Sequence, residues 1–196
     1  MSQTALEKQL AGERPDSVTP VDALKSARRR FLKKQRVDMS ELAGDLGVGR
    51  ATLYRWVGSR EQLLGEVLWS MTEAGLAQAR AEAKGKGAEW VLQIYRIMGD
   101  QIVGNEPLHH FIATEPELAL RVMTSKVSPQ QRRMTEAWRD ILLEAERDKG
   151  LKLRLDVDTL AYVLVRIAES FLWSDLITGE QLDLAKANEV ARALLT

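Results

Sequence analysis

Arg50, Thr52, Tyr54 and Arg55 fall within six consecutive positions, and their side chains carry the most pointed chemistry in the chain. A guanidinium is a planar fork of N–H donors that matches phosphate oxygens or the O6/N7 edge of guanine, and the two hydroxyls add short-range donors. The groups that would make or break bonds are missing. There is no Ser-His-Asp order, P-loop, Gly-rich dinucleotide loop or metal-ligand cluster. There is no cysteine either, which excludes disulfides, thiolate metal sites and cysteine nucleophiles. His109 and His110 are the only histidines, and neighbours on a helix point about 100° apart, so they do not easily share a metal. The expectation is a chain that is not an enzyme and holds no metal and no cofactor.

Those donors sit in a basic block. Residues 25–60 contain ten Lys/Arg against three Asp/Glu, a surplus of +7, which leaves −7 for the rest of a chain of formal net charge +0. A compact basic segment beside an acidic body is the footprint of one part that meets polyphosphate, although a solvated helix face has a similar composition. Apolar residues make up 45% of the 196, enough for a real core. The first 20 residues are polar and lack the apolar stretch of a secretion signal, and the longest apolar run, 160–165, is too short to span a bilayer. A soluble, cytoplasmic protein with no membrane contact is expected.

The elements that must position the donors read as helices throughout. Sustained period-2 alternation and Asn-Gly or Asp-Gly hairpin signals are missing. Residues 1–18 read as a flexible tail. A first helix is expected over about 19–35, with Asp22 in its first turn and the Arg/Lys cluster in its second half, as the helix dipole favours. Asp38-x-x-Glu41 reads as a capping box opening a short helix to Leu46. Gly47-Val48-Gly49 is a turn, a third helix covers 50–57, and Ser59 caps a fourth that runs to about 84. Further helices are expected at about 88–103, 107–114, 116–125, 128–148, 156–177 and 180–195.

The second and third helices meet the physical demands of a helix-turn-helix spanning 38–61, whose second helix offers its N-terminal half to the major groove of duplex DNA. Ala43 is small where the helices touch, and Gly47 tolerates the positive φ of the turn. Leu42, Leu46, Val48, Leu53 and Trp56 are placed to pin both helices to the first, with Leu53 and Trp56 in the core. Arg28, Arg29 and Arg30 are consecutive and fan around the first helix, so one or two are expected to reach phosphate.

The run Leu42-Ala43-x-x-Leu46-Gly47-Val48-x-x-x-Thr52-Leu53-Tyr54-x-Trp56-x-x-Ser59-Arg60-Glu61-x-Leu63 resembles the DNA-binding region of TetR-type (TetR/AcrR) transcriptional regulators over about residues 20–68. The segment Tyr162-Val163-Leu164-Val165-Arg166-Ile167-Ala168-Glu169-Ser170-Phe171 is similar to the QsdR-like branch, regulators of quorum-signal and lactone degradation. The resemblance implies an all-α chain, with a three-helix DNA-binding domain at 19–64 and a larger helical effector-binding and dimerisation domain at 65–196. It implies that Arg50, Thr52 and Arg55 face base edges or adjacent phosphates, and that Tyr54 bonds a phosphate through its hydroxyl. Arg60, where the family usually has Lys, would contact phosphate from the first turn of the fourth helix. Ser40 and Gly49 complete the expected DNA-facing set. The chain departs from the family at Asp38 and Gly49, where Ser or Thr is common, and an anionic Asp38 cannot donate to phosphate. Val57 replaces the usual Phe.

Modules of this kind usually read DNA as two-fold dimers, because one short helix gives too little affinity. Ala187, Val190, Ala191 and Leu194 fall at i, i+3, i+4 and i+7 and form a narrow stripe expected at a homodimer interface, beside a preceding helix that is apolar almost all round. Trp90, Tyr95, Met98, Phe111, Met123, Met134, Trp138, Tyr162 and Trp173 are each ordinary core candidates, and the resemblance is what argues that they line an effector pocket. Arg166 and Glu169, charged within an apolar helix, either pair with each other at i, i+3 or bond a polar group of the effector. The function implied is a repressor released from a palindromic operator by a small, largely apolar effector such as a lactone or acyl compound. The rival is an architectural DNA-binding protein that responds to no effector.

Overall fold

The structure, a computed structural model, describes residues 18–125, 130–179 and 182–196, apart from the side chains at 175 and 176. The tail expected at 1–18 lies outside these residues except for its last position, as do the starts expected at 128 and 180 for two later helices.

Local chemistry sets the head of the molecule. Helix α1 (Pro20–Leu32) opens on a capping box in which the Thr19 hydroxyl accepts from the Asp22 N–H and the Asp22 carboxylate accepts from the Thr19 N–H at 3.0 Å. Pro20 in the first turn removes only an N–H that no helical carbonyl could have accepted. The helix stops at Leu32, short of the expected residue 35, because Lys34 takes a left-handed φ of 57°.

Helix α2 (Met39–Asp45) is capped by Asp38, whose Oδ1 accepts from the N–H groups of Ser40 at 2.7 Å and Glu41 at 3.1 Å. The expected box is only half made, since Glu41 turns to accept from Arg30 instead. Gly47 reverses the chain at φ 65° and leads into α3 (Arg50–Val57). Gly58 makes the next reversal at φ 68°, where a Cβ would lie 1.9 Å from Gln62 Oε1. Gln62 is committed there, because it closes a capping box with Ser59 over the start of α4 (Arg60–Glu82).

The body continues through α5 (Gly87–Val103), α6 (Glu106–Thr114), α7 (Pro116–Thr124), α8 (Gln130–Lys149), α9 (Val157–Leu172), α10 (Ser174–Thr178) and α11 (Leu184–Leu195). The single helix expected over 156–177 is broken at Trp173, whose φ of −93° and ψ of 4° end α9 before α10 begins. No described helix is long and apolar enough to cross a membrane.

Among the described residues two hydrophobic cores form, and α4 runs through both. Leu63, Leu64, Val67 and Leu68 join Ala23, Ala27 and Phe31 of α1, Leu42 and Leu53, while Leu76 and Ala79 enter a second core built by α5, α8, α9 and α11. The first core also takes in Leu108 and Phe111 of α6, Ala119 and Val122 of α7, and Trp173. A division after residue 64 therefore falls inside a continuous helix, and the core under the head crosses it. Helix α11 packs on α5, and Ala187 and Ala191 are 0% exposed within this single chain. Half of the stripe expected at a dimer interface is thus spent on the chain's own core. Val190 and Leu194 lie at its margin, Val190 exposed and Leu194 half-buried.

Candidate DNA-reading face and ligand cavity

Helix α3 is two turns long and anchored by one fully buried side chain, Leu53. Arg50, Tyr54 and Arg55 are exposed and Thr52 is half-buried, so all four expected donors lie on or beside the outward side. Ser40 is exposed in the first turn of α2, and Gly49, also exposed, precedes α3 without adding a side-chain cap. Trp56 departs from expectation. It sits about 60° around the helix from Leu53, is only half-buried, and lines an open groove with Val21, Leu24 and Tyr162 rather than filling the core.

The basic block divides into used and unused cations. Arg30 forks onto Asp45 and Glu41, with Nη2 2.6 Å from one and Nη1 2.7 Å from the other, and so ties α1 to α2. Lys34 pairs with Glu106 at 2.5 Å. Arg60, expected to face phosphate, is gripped by Glu115 through both terminal nitrogens at 2.6 Å and donates from Nε to the Val37 carbonyl. Glu115 carries no local motif that would have marked it. Arg28, Arg29, Lys33, Arg50 and Arg55 are exposed and pair with no carboxylate among the described residues. Within the basic block, the cations left without a carboxylate among the described residues therefore lie on α1, at its C-cap and on α3.

A second feature lies in the body. Tyr95, Met98, Gly99 and Ile102 of α5, Met123 of α7, Met134 and Trp138 of α8, Glu169 of α9 and Ala187 of α11 border a cavity of about 80 Å³. Tyr95 and Trp138 meet edge to face with centroids 5.2 Å apart, and the Tyr95 hydroxyl donates to the Leu164 carbonyl at 2.9 Å. Burial pushes that phenol well above its ordinary range. Gly99 and Ala187, which no sequence signal singled out as lining residues, leave the space open. A Cβ at Gly99 would already touch Leu184 at 3.5 Å.

Of the residues expected to line a pocket, Tyr95, Met98, Met123, Met134, Trp138 and Glu169 come together here, and the others do not. Phe111 is in the first core, its ring edge to face with Phe31. Trp173 is buried in that core too, and its Nε1 has no hydrogen-bond partner among the described residues. Trp90 packs under the Lys149 ammonium instead. Tyr162 is 55% exposed. It shares a strip of α9 with Arg166 and Glu169 but lies two turns, roughly 10 Å, back along the axis from Glu169.

Arg166 lines the open groove, and its Nη1 is 2.6 Å from Glu169 Oε2, with side-chain exposures of 43% and 12%. Gln131 donates to the other Glu169 oxygen. Burial raises the Glu169 carboxyl above its ordinary value, and Arg166 and Gln131 oppose that shift. The mutual ion pair is made, and the carboxylate still borders the cavity.

Residues 86–196 match a family described as tetracyclin repressor-like, C-terminal domain. In structure the chain is similar to the transcriptional repressor QsdR of R. erythropolis, from the TetR family, with 31% identity and a TM-score of 0.84 over 90% of this chain and 93% of that one. It is also similar in fold to a candidate transcriptional regulator of Rhodococcus sp. RHA1, with 18% identity and a TM-score of 0.60 over 90% of this chain and 95% of that one. No curated protein matches the chain in sequence.

Proposed function

This chain belongs to the TetR family of transcriptional regulators, and we propose that it is a ligand-responsive repressor that holds a palindromic operator as a homodimer and lets go when a small effector enters the body. The observation that carries the DNA-reading half is the division on α3, where Leu53 is buried while Arg50, Tyr54 and Arg55 stand exposed, the two arginines without carboxylate partners among the described residues. Arg50 and Arg55 take the direct readout, because an arginine fork fits guanine O6/N7. Thr52, Tyr54, Ser40 and the backbone at Gly49 take phosphates. In this reading residues 19–64 are the head, 65–196 the sensor and dimerisation body, and α4 the rigid element common to both.

The effector half rests on the cavity between α5, α7, α8, α9 and α11. Its lining is apolar apart from Glu169 and Gln130, which suits a small, largely apolar compound such as a lactone or an acyl compound. About 80 Å³ is small for such a molecule. Met98, Met123 and Met134 supply unbranched, easily displaced walls. Entry then favours a different arrangement of the body, and only a difference in effector affinity between two arrangements can move the DNA equilibrium. The outward sides of α9 and α11 are the dimer surface in this reading.

The experiment is a gel shift on the DNA upstream of the protein's own gene, with lactones and acyl compounds added in turn. A shifted band that one compound releases, and whose binding also raises the thermal midpoint, supports the reading. A shifted band that no thermally stabilising compound releases points to DNA binding without an effector.

A further inference from the structure

Arg60 and Glu115 are 55 residues apart in sequence and meet where head and body join. Their contact is a parallel fork, Nη1 to Oε2 and Nη2 to Oε1, each 2.6 Å, with side-chain exposures of 20% and 22%. Arg36 adds a second cation, its Nε 3.8 Å from Oε2. Arg60, and then Arg36, hold the Glu115 carboxyl below its ordinary value, so it is ionised at neutral pH.

Glu115 itself is held in place by the backbone. It is the joint between α6 and α7, donating its N–H to the Phe111 carbonyl and accepting at its own carbonyl from the Ala119 N–H, both at 2.9 Å. A carboxylate placed in this way offers a guanidinium the same bidentate geometry that a DNA phosphate would offer.

We propose that Glu115 is an internal stand-in for a DNA phosphate, and that by neutralising Arg60 it sets the affinity of the protein for its operator. The inference rests on the reading of Arg60 as a DNA-facing residue. Bound DNA then meets an ion pair at this corner instead of a free cation, and one counterion fewer is released on binding. Removing the charge of Glu115 while keeping its shape should return Arg60 to the phosphate backbone. The free energy of binding is thereby held below what the basic block would otherwise supply.

The test is operator affinity of the full chain against salt concentration, by fluorescence anisotropy, for the unaltered protein, Glu115→Gln, Arg60→Ala, the double variant and Arg55→Ala. Glu115→Gln is expected to bind several-fold tighter at about 0.15 M salt, with the slope of log K against log salt steeper by about 0.9, the value for one more phosphate. The double variant, which replaces a neutral pair by a neutral pair, is expected to match the unaltered protein within about twofold and to keep its slope. The proposal is overturned if Glu115→Gln binds no tighter, or if its gain survives in the double variant, which would make the effect one of net charge alone. Unfolding midpoints of all variants show whether the fork is needed to hold the head, and weaker binding by a folded Glu115→Gln also overturns the proposal. If Arg55→Ala leaves affinity unchanged as well, the reading face itself is wrong. If Arg55→Ala weakens binding while Glu115→Gln has no effect, only the role of Glu115 falls.

Discussion

Phe31 of α1 and Phe111 of α6 meet edge to face with ring centroids 5.7 Å apart, so the first helix of the head is packed directly on the body. Lys34–Glu106 lies at one end of α6 and Arg60–Glu115 at the other, which fastens this short helix to the head along its whole length. Phe111→Ala should therefore cost about 3–5 kcal/mol of stability, the usual range for emptying a buried phenylalanine site. Urea unfolding gives the value. A loss under about 1 kcal/mol would mean that head and body do not share a core.

Gly58 is poorly open to substitution. Its φ of 68° and ψ of −139° disfavour any side chain, and a Cβ would collide with the Gln62 group that caps α4. Gly58→Ala should cost about 1–3 kcal/mol, as strained backbone generally does. It should also loosen the angle between α3 and α4. Thermal unfolding and operator binding should both suffer, and a variant as stable as the parent would contradict the turn geometry.

Helix α3 and its two faces were legible in the sequence because each of their requirements is local. Ala43, Gly47, Leu53 and the outward Arg50, Tyr54 and Arg55 are related by spacing within one short stretch, and helical geometry alone sorts them into inside and outside. The pocket was legible only in part, because lining depends on which helices meet. Phe111 and Trp173 are as apolar as Trp138, and nothing in their neighbourhoods says that the first core claims them. The stripe on α11 shows the same limit from another side, since periodicity marks an apolar face without saying whether α5 or a partner covers it. Arg60 looked free because its partner, Glu115, arrives through tertiary folding.

Glu169 gives a pH signature. Its carboxyl is raised above the ordinary value of 4.5, chiefly by burial, so between that value and its folded one the native state binds more protons than the unfolded state. Stability from this group is therefore fully present at lower pH and declines as pH rises through that window. Glu169→Gln, which cannot ionise, should gain stability relative to the parent as pH goes from about 4 to 7. Unfolding midpoints across that range test the sign. A parent that gains on the variant with rising pH would show that the Arg166 pair outweighs burial.

Ala187 lines the cavity from α11, and its enlargement should fill the space. Ala187→Leu should cost about 1–3 kcal/mol in overpacking. It should leave operator binding intact and abolish release by a compound that releases the parent. Calorimetry with that compound provides the check. Undiminished binding by the variant would place the effector elsewhere.

The most direct test of the account is operator affinity of Arg55→Ala and Tyr54→Ala, measured by anisotropy on the protein's own upstream DNA. Both side chains are exposed, so both variants should unfold at the parent's midpoint. Arg55→Ala is expected to bind about ten- to a hundredfold more weakly and to lose discrimination at one base pair, and Tyr54→Ala to weaken binding to all sequences alike. Parental affinity and specificity in both variants would contradict the claim that α3 is the helix that reads DNA.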